Sequence, residues 1–259
     1  MLAFALSGAG NRGPLEVGAL QALLEAGKIP DMIVGTSAGA INAAYLAAHG
    51  ASLETVTQMG ALWRNVTSNV IYPENLLQVG WRLMTKADSL YSSGRMRQLL
   101  ADAMPPGVTT FGDLKIPLFV TATDLTAHDL YIFGNNPKAD LVDAVLASAS
   151  VPGIHPPVKY ESLQLVDGGV LANVPASIAM EQGADTIYAL NVTYGGGRVA
   201  PAAGVLDVLG LTLSTLLGQA LLQDIDRAEN DPKVDLYHIH LPDLGNVSFR
   251  DFSQTDAMI

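Results

Sequence analysis

The sequence predicts an α/β fold: three layers, α/β/α, around a mostly parallel central sheet. Short apolar runs alternate with longer segments of helical periodicity, the pattern of repeated βα units. Two of the apolar runs end in Gly-rich turns that lead straight into a helical segment. Of the 259 residues 49% are hydrophobic and only 15% charged, enough apolar surface to cover both faces of a sheet. No composition shift marks a linker, and there is no repeat or low-complexity tract. Residues 1–259 are therefore expected to form one domain, with a helical excursion at about 50–106.

Taken in order, Leu2 to Leu6 reads as a buried strand, and Ser7-Gly8-Ala9-Gly10-Asn11-Arg12-Gly13 as a loop. A helix follows from Leu15 to Ala26, ended by Gly27, with Pro14 tolerated in its first turn. Met32, Ile33 and Val34 form a second apolar run, followed by an Ala-rich helix. From Gly50 to about Pro106 the pattern loosens. Trp63, Val70, Ile71, Tyr72, Leu76, Leu77, Trp81, Leu83 and Met84 suggest helices and loops over the sheet, as consistent with core packing as with an acyl-binding surface. Alternation resumes with a strand at Ile116 to Asp124 and another at Tyr131 to Phe133. Leu141 to Ser150 is helical, with Ser148 and Ser150 read as small packing residues. Leu163 to Val166 leads into Asp167, and Ala176–Gln182 is a helix before a strand at Thr186 to Val192. Gly195 to Gly197 marks a loop. Val205 to Ile225 repeats Leu at helical spacing, and with Asp207 interrupting it suits core or subunit packing better than a membrane span. Val234 to Leu241 alternates as a half-exposed strand, and the polar tail from Asn246 is expected to be loose.

The bulk numbers exclude several classes. A net charge of −11 makes nucleic acid a poor partner and disfavours simple electrostatic docking to anionic membranes. With no cysteine, disulfides, thiolate metal sites and a Cys nucleophile are ruled out. Met1 to Leu6 lacks a basic n-region and runs directly into the Gly-rich loop, so it reads as a strand and not a signal peptide. The expected location is the cytoplasm.

Two motifs carry chemistry. Gly35-Thr36-Ser37-Ala38-Gly39 lies between an apolar run and a helix, the context of a nucleophile elbow. Gly35 and Gly39 would leave room for a tight turn with Ser37 exposed at its apex. The plainer reading is a βα turn whose serine caps the helix. Gly8, Gly10 and Gly13 spell Gly-x-Gly-x-x-Gly, with Asp31 roughly at the spacing of a ribose-binding acid. Asp31, however, precedes the second apolar run instead of ending it. With a candidate nucleophile one βα unit later, the loop's backbone N–H groups are better suited to hold a developing oxyanion.

The loop Ser7 to Gly13, then Val17-Gly18-Ala19-Leu20, then Ile33 to Ala43 resembles the patatin-like phospholipase family. The segment Ala147 to Val158 and Asp167-Gly168-Gly169 resemble that family's approach to its acidic residue. The resemblance covers most of residues 1–192. It implies a patatin-like fold, hydrolysis of lipid esters, and a Ser37–Asp167 catalytic dyad. It also implies an oxyanion hole drawn from Gly8, Ala9, Gly10, Asn11, Arg12, Gly13 and Ala38. Two departures stand out. Ala9 replaces a usual Gly, which would cost ~1 kcal/mol or more were its φ positive. His155 stands where an aromatic such as Phe is common.

In the expected chemistry Asp167 takes the Ser37 proton, its pKa raised by partial burial, and the Gly168-Gly169 pair lets the backbone bend so the carboxylate reaches the serine. This needs no metal or organic cofactor, and Asp124, Asp129, Asp140 and Asp143 form no convincing ligand cluster. The expected partner is a lipid or ester substrate; transient contact with a membrane surface and the oligomeric state stay open. A triad using His238 or His240, a nucleotide-binding protein using the Gly8–Gly13 loop, and a non-catalytic regulatory module are the alternatives.

Overall fold

The computed structural model describes residues 1–192, 201, 203–242 and 250–259. These begin with β1 (Leu2–Leu6), α1 (Pro14–Glu25), β2 (Met32–Gly35) and α2 (Ala38–His49). Four helices follow: α3 (Leu53–Asn65), α4 (Ser68–Ile71), α5 (Leu76–Met84) and α6 (Gly94–Ala103). The chain returns through β3 (Leu118–Asp124), β4 (Asp129–Phe133), α7 (Leu141–Ser148), β5 (Val158–Tyr160) and β6 (Leu163–Asp167). It then forms α8 (Ala176–Glu181), β7 (Thr186–Asn191), α9 (Val205–Glu229), β8 (Asp235–His240) and α10 (Thr255–Met258).

All eight strands join one sheet in the order β5-β6-β3-β2-β1-β7-β8, with β4 also paired to β3. The neighbours from β3 through β8 are parallel, whereas β4 and β6 run antiparallel to β3. Successive side chains of a strand point to opposite faces, and the core divides accordingly. Phe4, Leu6 and Ile33 face a cluster with Leu20 of α1, Leu46 of α2 and Leu146 of α7. Ala3, Ala5, Met32 and Val34 face the other layer, with Ile178 of α8 and Leu221 and Ile225 of α9. β1 is covered on both sides, which is why its sequence reads as an unbroken apolar run. The architecture is the expected three-layer α/β/α arrangement.

The sheet contains one relationship that strand-by-strand reading does not reveal. A strand has two edges, and β4 occupies one edge of β3 along Val120 to Asp124. The other edge is shared: β2 pairs with Leu118 to Val120, and β6 pairs with Ala122 to Asp124. β2 and β6 thus lie end to end and point at one another. Asp167 sits opposite Ala122, just beyond the level at which Gly35 pairs with Val120.

Some expectations are corrected. The residues of the tail that can be described are docked, not loose: Met258 belongs to the core under α1 and α3, and the Asn11 Nδ2 donates to the Asp251 carbonyl at 2.7 Å. The edge strand β5 is only three residues long, with Lys159 exposed between buried Val158 and half-buried Tyr160, and so carries too little apolar pattern to be read in advance. The two tryptophans separate: Trp63 is buried, while Trp81 is 67% exposed. The Gly195–Gly197 loop, the Asp207 side chain and residues 246–249 lie outside the described residues. Among the described residues no helix is long and apolar enough to cross a membrane.

Candidate active site

β1 and β2 are adjacent and parallel, so the loop after β1 and the turn after β2 emerge side by side. The turn is sharp because Gly39 packs directly against the Leu6 and Ser7 backbone, where a Cβ would have no space. Its N–H donates to the Ser7 carbonyl at 3.1 Å, and Thr36 N–H to that of Leu6 at 3.1 Å. Pulled in from both sides, Ser37 adopts φ 55°, ψ −121°, a conformation that costs a non-Gly residue on the order of 1–3 kcal/mol. Ser37 does not cap α2 with its side chain, so the plainer reading of this turn fails.

The Ser37 Oγ–H instead donates to Asp167 Oδ2 at 2.7 Å. Asp167 is held at every other polar atom nearby: Oδ1 accepts from Gly169 N–H at 2.8 Å, its carbonyl accepts from Thr123 Oγ1 at 3.0 Å, and its N–H donates to the Ser150 carbonyl at 2.9 Å. Burial outweighs these hydrogen bonds and pushes the carboxyl up to about 6. The Gly168-Gly169 pair contributes differently from expectation. Neither has a positive φ; Gly168 packs against Thr121 with no room for a Cβ, and Gly169 supplies the N–H that orients the carboxylate.

Ser148, expected to be a packing residue, is part of the support. Its Oγ accepts the Ser37 N–H at 2.8 Å, from the last residue of α7. A small polar residue in a buried helix end gives no sequence signal for this role. Thr36 and Thr121, both fully buried, join hydroxyls at 2.7 Å beneath the turn, and Thr36 Oγ1 also donates to the Ala172 carbonyl.

The glycine loop is organised differently from the sequence expectation. Gly8 N–H donates to the Asn173 carbonyl at 2.9 Å, Arg12 N–H to Ala9 and Gly13 N–H to Gly10, so these three backbone donors are committed within the fold. Ala9 has φ −130° and bears no strain; the positive φ falls on Gly10, at 55°. Among the described residues, the N–H groups of Gly10 and Ala38 make no hydrogen bond, and both residues line the cavity that contains Ser37. Asn11 and Arg12 are buried at the base of the loop.

Behind the loop lies a polar cluster the sequence reading missed. Glu16 is wholly buried on α1; Oε1 accepts from Ser7 N–H at 2.8 Å and Oε2 from Asn42 Nδ2 at 2.8 Å. Asn42 in turn accepts from Trp63 Nε1 at 2.7 Å and donates to the Gly13 carbonyl at 3.0 Å. The Ser7 and Asn42 bonds to it favour the carboxylate, but desolvation prevails and raises its pKa to about 8.

The cavity beside Ser37, of about 70 Å³, is walled by Ile41, Trp63, Ile71, Tyr72, Met96 and Phe252, with His155 among them. His155 stacks on Tyr72, and its Nε2 contacts the Ile71 carbonyl at 2.9 Å. A carbonyl can only accept, so Nε2 bears the hydrogen and the neutral ring offers Nδ1 as an acceptor, which has no partner among the described residues. Burial lowers the His155 pKa. A larger cavity, about 220 Å³, lies at the amino end of β3 between Phe111 and Pro137, at the opposite end of the sheet from Ser37.

Two alternatives meet obstacles in the geometry. His238 and His240 stand on the edge strand β8, three strands from β2 and so roughly 14 Å away. His238 Nε2 is engaged with Asn191 Nδ2 at 2.8 Å. Asp31, the candidate ribose ligand, binds the Leu2 N–H at 2.7 Å, at the opposite end of β1 from the glycine loop.

The fold and site define a class of α/β proteins in which a strained serine after one strand meets a carboxylate arriving from another. The chain belongs to the patatin-like phospholipase family, whose model matches residues 4–180. It is 34% identical over 193 residues to YqhO of Bacillus subtilis, covering 65% of this chain and 63% of that protein. It is 30% identical over 193 residues to mouse patatin-like phospholipase domain-containing protein 6, covering 74% of this chain but only 13% of that protein's length. Among solved structures, VipD from Legionella pneumophila matches with a TM-score of 0.45 and 19% identity, over 74% of this chain and 50% of that one.

Proposed function

We propose that this protein hydrolyses carboxylic ester bonds of lipids, with Ser37 as nucleophile and Asp167 as the base that activates it. The observation that carries this reading is the 2.7 Å hydrogen bond from a serine in a strained turn to a buried carboxylate. Membership of a family named for phospholipases supports lipid esters as the substrate class.

In the proposed cycle Asp167 accepts the Ser37 proton as Oγ attacks the ester carbonyl. The Gly10 and Ala38 N–H groups receive the negative charge that develops on the carbonyl oxygen. Asp167 returns the proton to the departing alcohol, leaving an acyl ester on Ser37. Water, deprotonated by the same carboxylate, then releases the fatty acid and restores the serine. A base with a pKa of about 6 is ionised at neutral pH yet accepts a proton far more readily than a solvated aspartate. The shared sheet and the two cores covering its faces also support reading residues 1–259 as one domain.

The test is labelling with a fluorophosphonate, alongside hydrolysis of p-nitrophenyl esters of graded chain length. Labelling at Ser37 and turnover that disappears in Ser37→Ala are expected. An unlabelled, folded protein inactive on every ester would overturn the proposal.

A further inference from the structure

We propose that α5 docks this protein onto an anionic lipid bilayer, laying Leu77, Trp81 and Met84 into the interface beside the Ser37 cavity. The inference rests on the lipid-ester reading above and extends it to where the enzyme meets its substrate.

Leu77, Trp81 and Met84 are spaced i, i+4, i+7 and form one stripe along the helix. They are 86%, 67% and 81% exposed. The helix is well made, with a capping box between Asn75 and Gln78, yet no other helix or strand packs closely on it among the described residues. A stable helix that presents its apolar face to solvent calls for an external apolar phase.

Charge identifies that phase. Residues 64–97 hold five of the chain's 14 Lys and Arg but only two of its 25 Asp and Glu. Arg64 and Arg97 are paired with Asp256 and Asp143. Arg82 and Arg95 donate to neutral groups of Ser89 and Asn69, and Lys86 is exposed, so among the described residues these three cations of the segment make no ion pair. This local excess in a chain of net charge −11 matches an anionic surface. A second copy of the chain fits less well. A nine-residue helix is about 14 Å long, and its single stripe falls short of the roughly 800 Å² per partner of a stable dimer.

The helix is also joined to the site at both ends. On its amino side, Ile71 and Tyr72 are cavity walls. On its carboxyl side, Leu90 and Tyr91 N–H groups donate to the Gly153 and Ile154 carbonyls, immediately before His155. A bilayer contacted by α5 therefore lies against the cavity wall. An amphipathic helix of this kind rests in the headgroup region with its cations at the surface.

The experiment uses the 259-residue chain with vesicles of phosphatidylcholine alone or mixed with phosphatidylglycerol, read by cosedimentation and by quenching of Trp fluorescence with brominated lipid. Binding to the anionic vesicles is expected, with quenching that Trp81→Phe removes, since Trp63 is buried. Leu77→Ser/Met84→Ser should bind at least tenfold more weakly, and Lys86→Glu should weaken binding to anionic vesicles alone. Both variants should keep p-nitrophenyl butyrate hydrolysis within twofold of wild type. Unchanged binding by the Ser double variant, absent quenching, or a concentration-dependent dimer that the Ser double variant abolishes, in place of vesicle binding, would each overturn the proposal. Vesicle binding without ester hydrolysis would leave the docking role intact and reject the catalytic reading instead.

Discussion

Ser37 and Asp167 meet at 2.7 Å because β2 and β6 run head-on along the same edge of β3. The serine leaves the end of one strand where the carboxylate arrives at the end of the other. Both backbones are therefore tied to one rigid ladder, although 130 residues separate them in sequence. Such preorganisation holds the serine hydroxyl and the carboxylate at hydrogen-bond distance, the arrangement the proposed chemistry needs before substrate arrives.

Replacing the serine should separate strain from chemistry. Ser37→Ala and Ser37→Gly should both lose at least about 10²-fold in ester turnover. Ser37→Gly should also be more stable than Ser37→Ala by about 1 kcal/mol, because glycine adopts φ 55° without a Cβ penalty. Urea unfolding of the two variants measures the difference.

The raised Asp167 pKa carries two signs. As a base it must be ionised, so turnover on a soluble ester should rise with pH through about 6 and then level. For stability, a folded value above the unfolded 3.8 means the contribution is fully present below 3.8 and lost as pH climbs through 6. Asp167→Asn should therefore abolish turnover while stabilising the fold at pH 7, by on the order of 1–3 kcal/mol. A pH series of melting temperatures beside a rate profile checks both.

Glu16 predicts a broader effect. Its stabilising contribution is complete below 4.5 and declines as pH rises towards 8, where the buried carboxyl ionises. Wild type should lose melting temperature between pH 5 and 8.5. Glu16→Leu should be less stable than wild type at pH 5, having left the Ser7 N–H unpaired, but should show a flatter pH dependence.

Ser148→Ala removes the acceptor for the Ser37 N–H. An unsatisfied buried donor costs about 1–3 kcal/mol, and the loosened turn should lower kcat more than it raises KM. Restoring an acceptor with Ser148→Thr should recover part of the rate; equal kcat in all three proteins would exclude a positioning role.

The histidines offer a negative control. His238→Ala/His240→Ala should retain turnover within about twofold, since β8 lies roughly 14 Å from the elbow. Abolished turnover in a folded double variant would replace the two-residue mechanism with a triad.

Local pattern alone was enough for the strands β1, β2, β3 and β7, the helices after the two Gly-rich turns, and Ser37 as a candidate, whereas Asp167 was singled out by the family resemblance. The pattern-read features depend on neighbours in sequence: an apolar run, a Gly-x-Ser-x-Gly turn, a helical period after it. Tertiary structure alone decided which N–H groups of the glycine loop stay uncommitted, because Gly8 commits its donor to Asn173, more than 160 residues later. It also decided that Ser148 holds the turn, that Glu16 is wholly buried, and that Phe252 from the tail completes the cavity. Those roles come from partners distant in the chain. Burial and hydrogen-bond competition are properties of the packed whole, and a residue's own sequence neighbourhood carries no record of them.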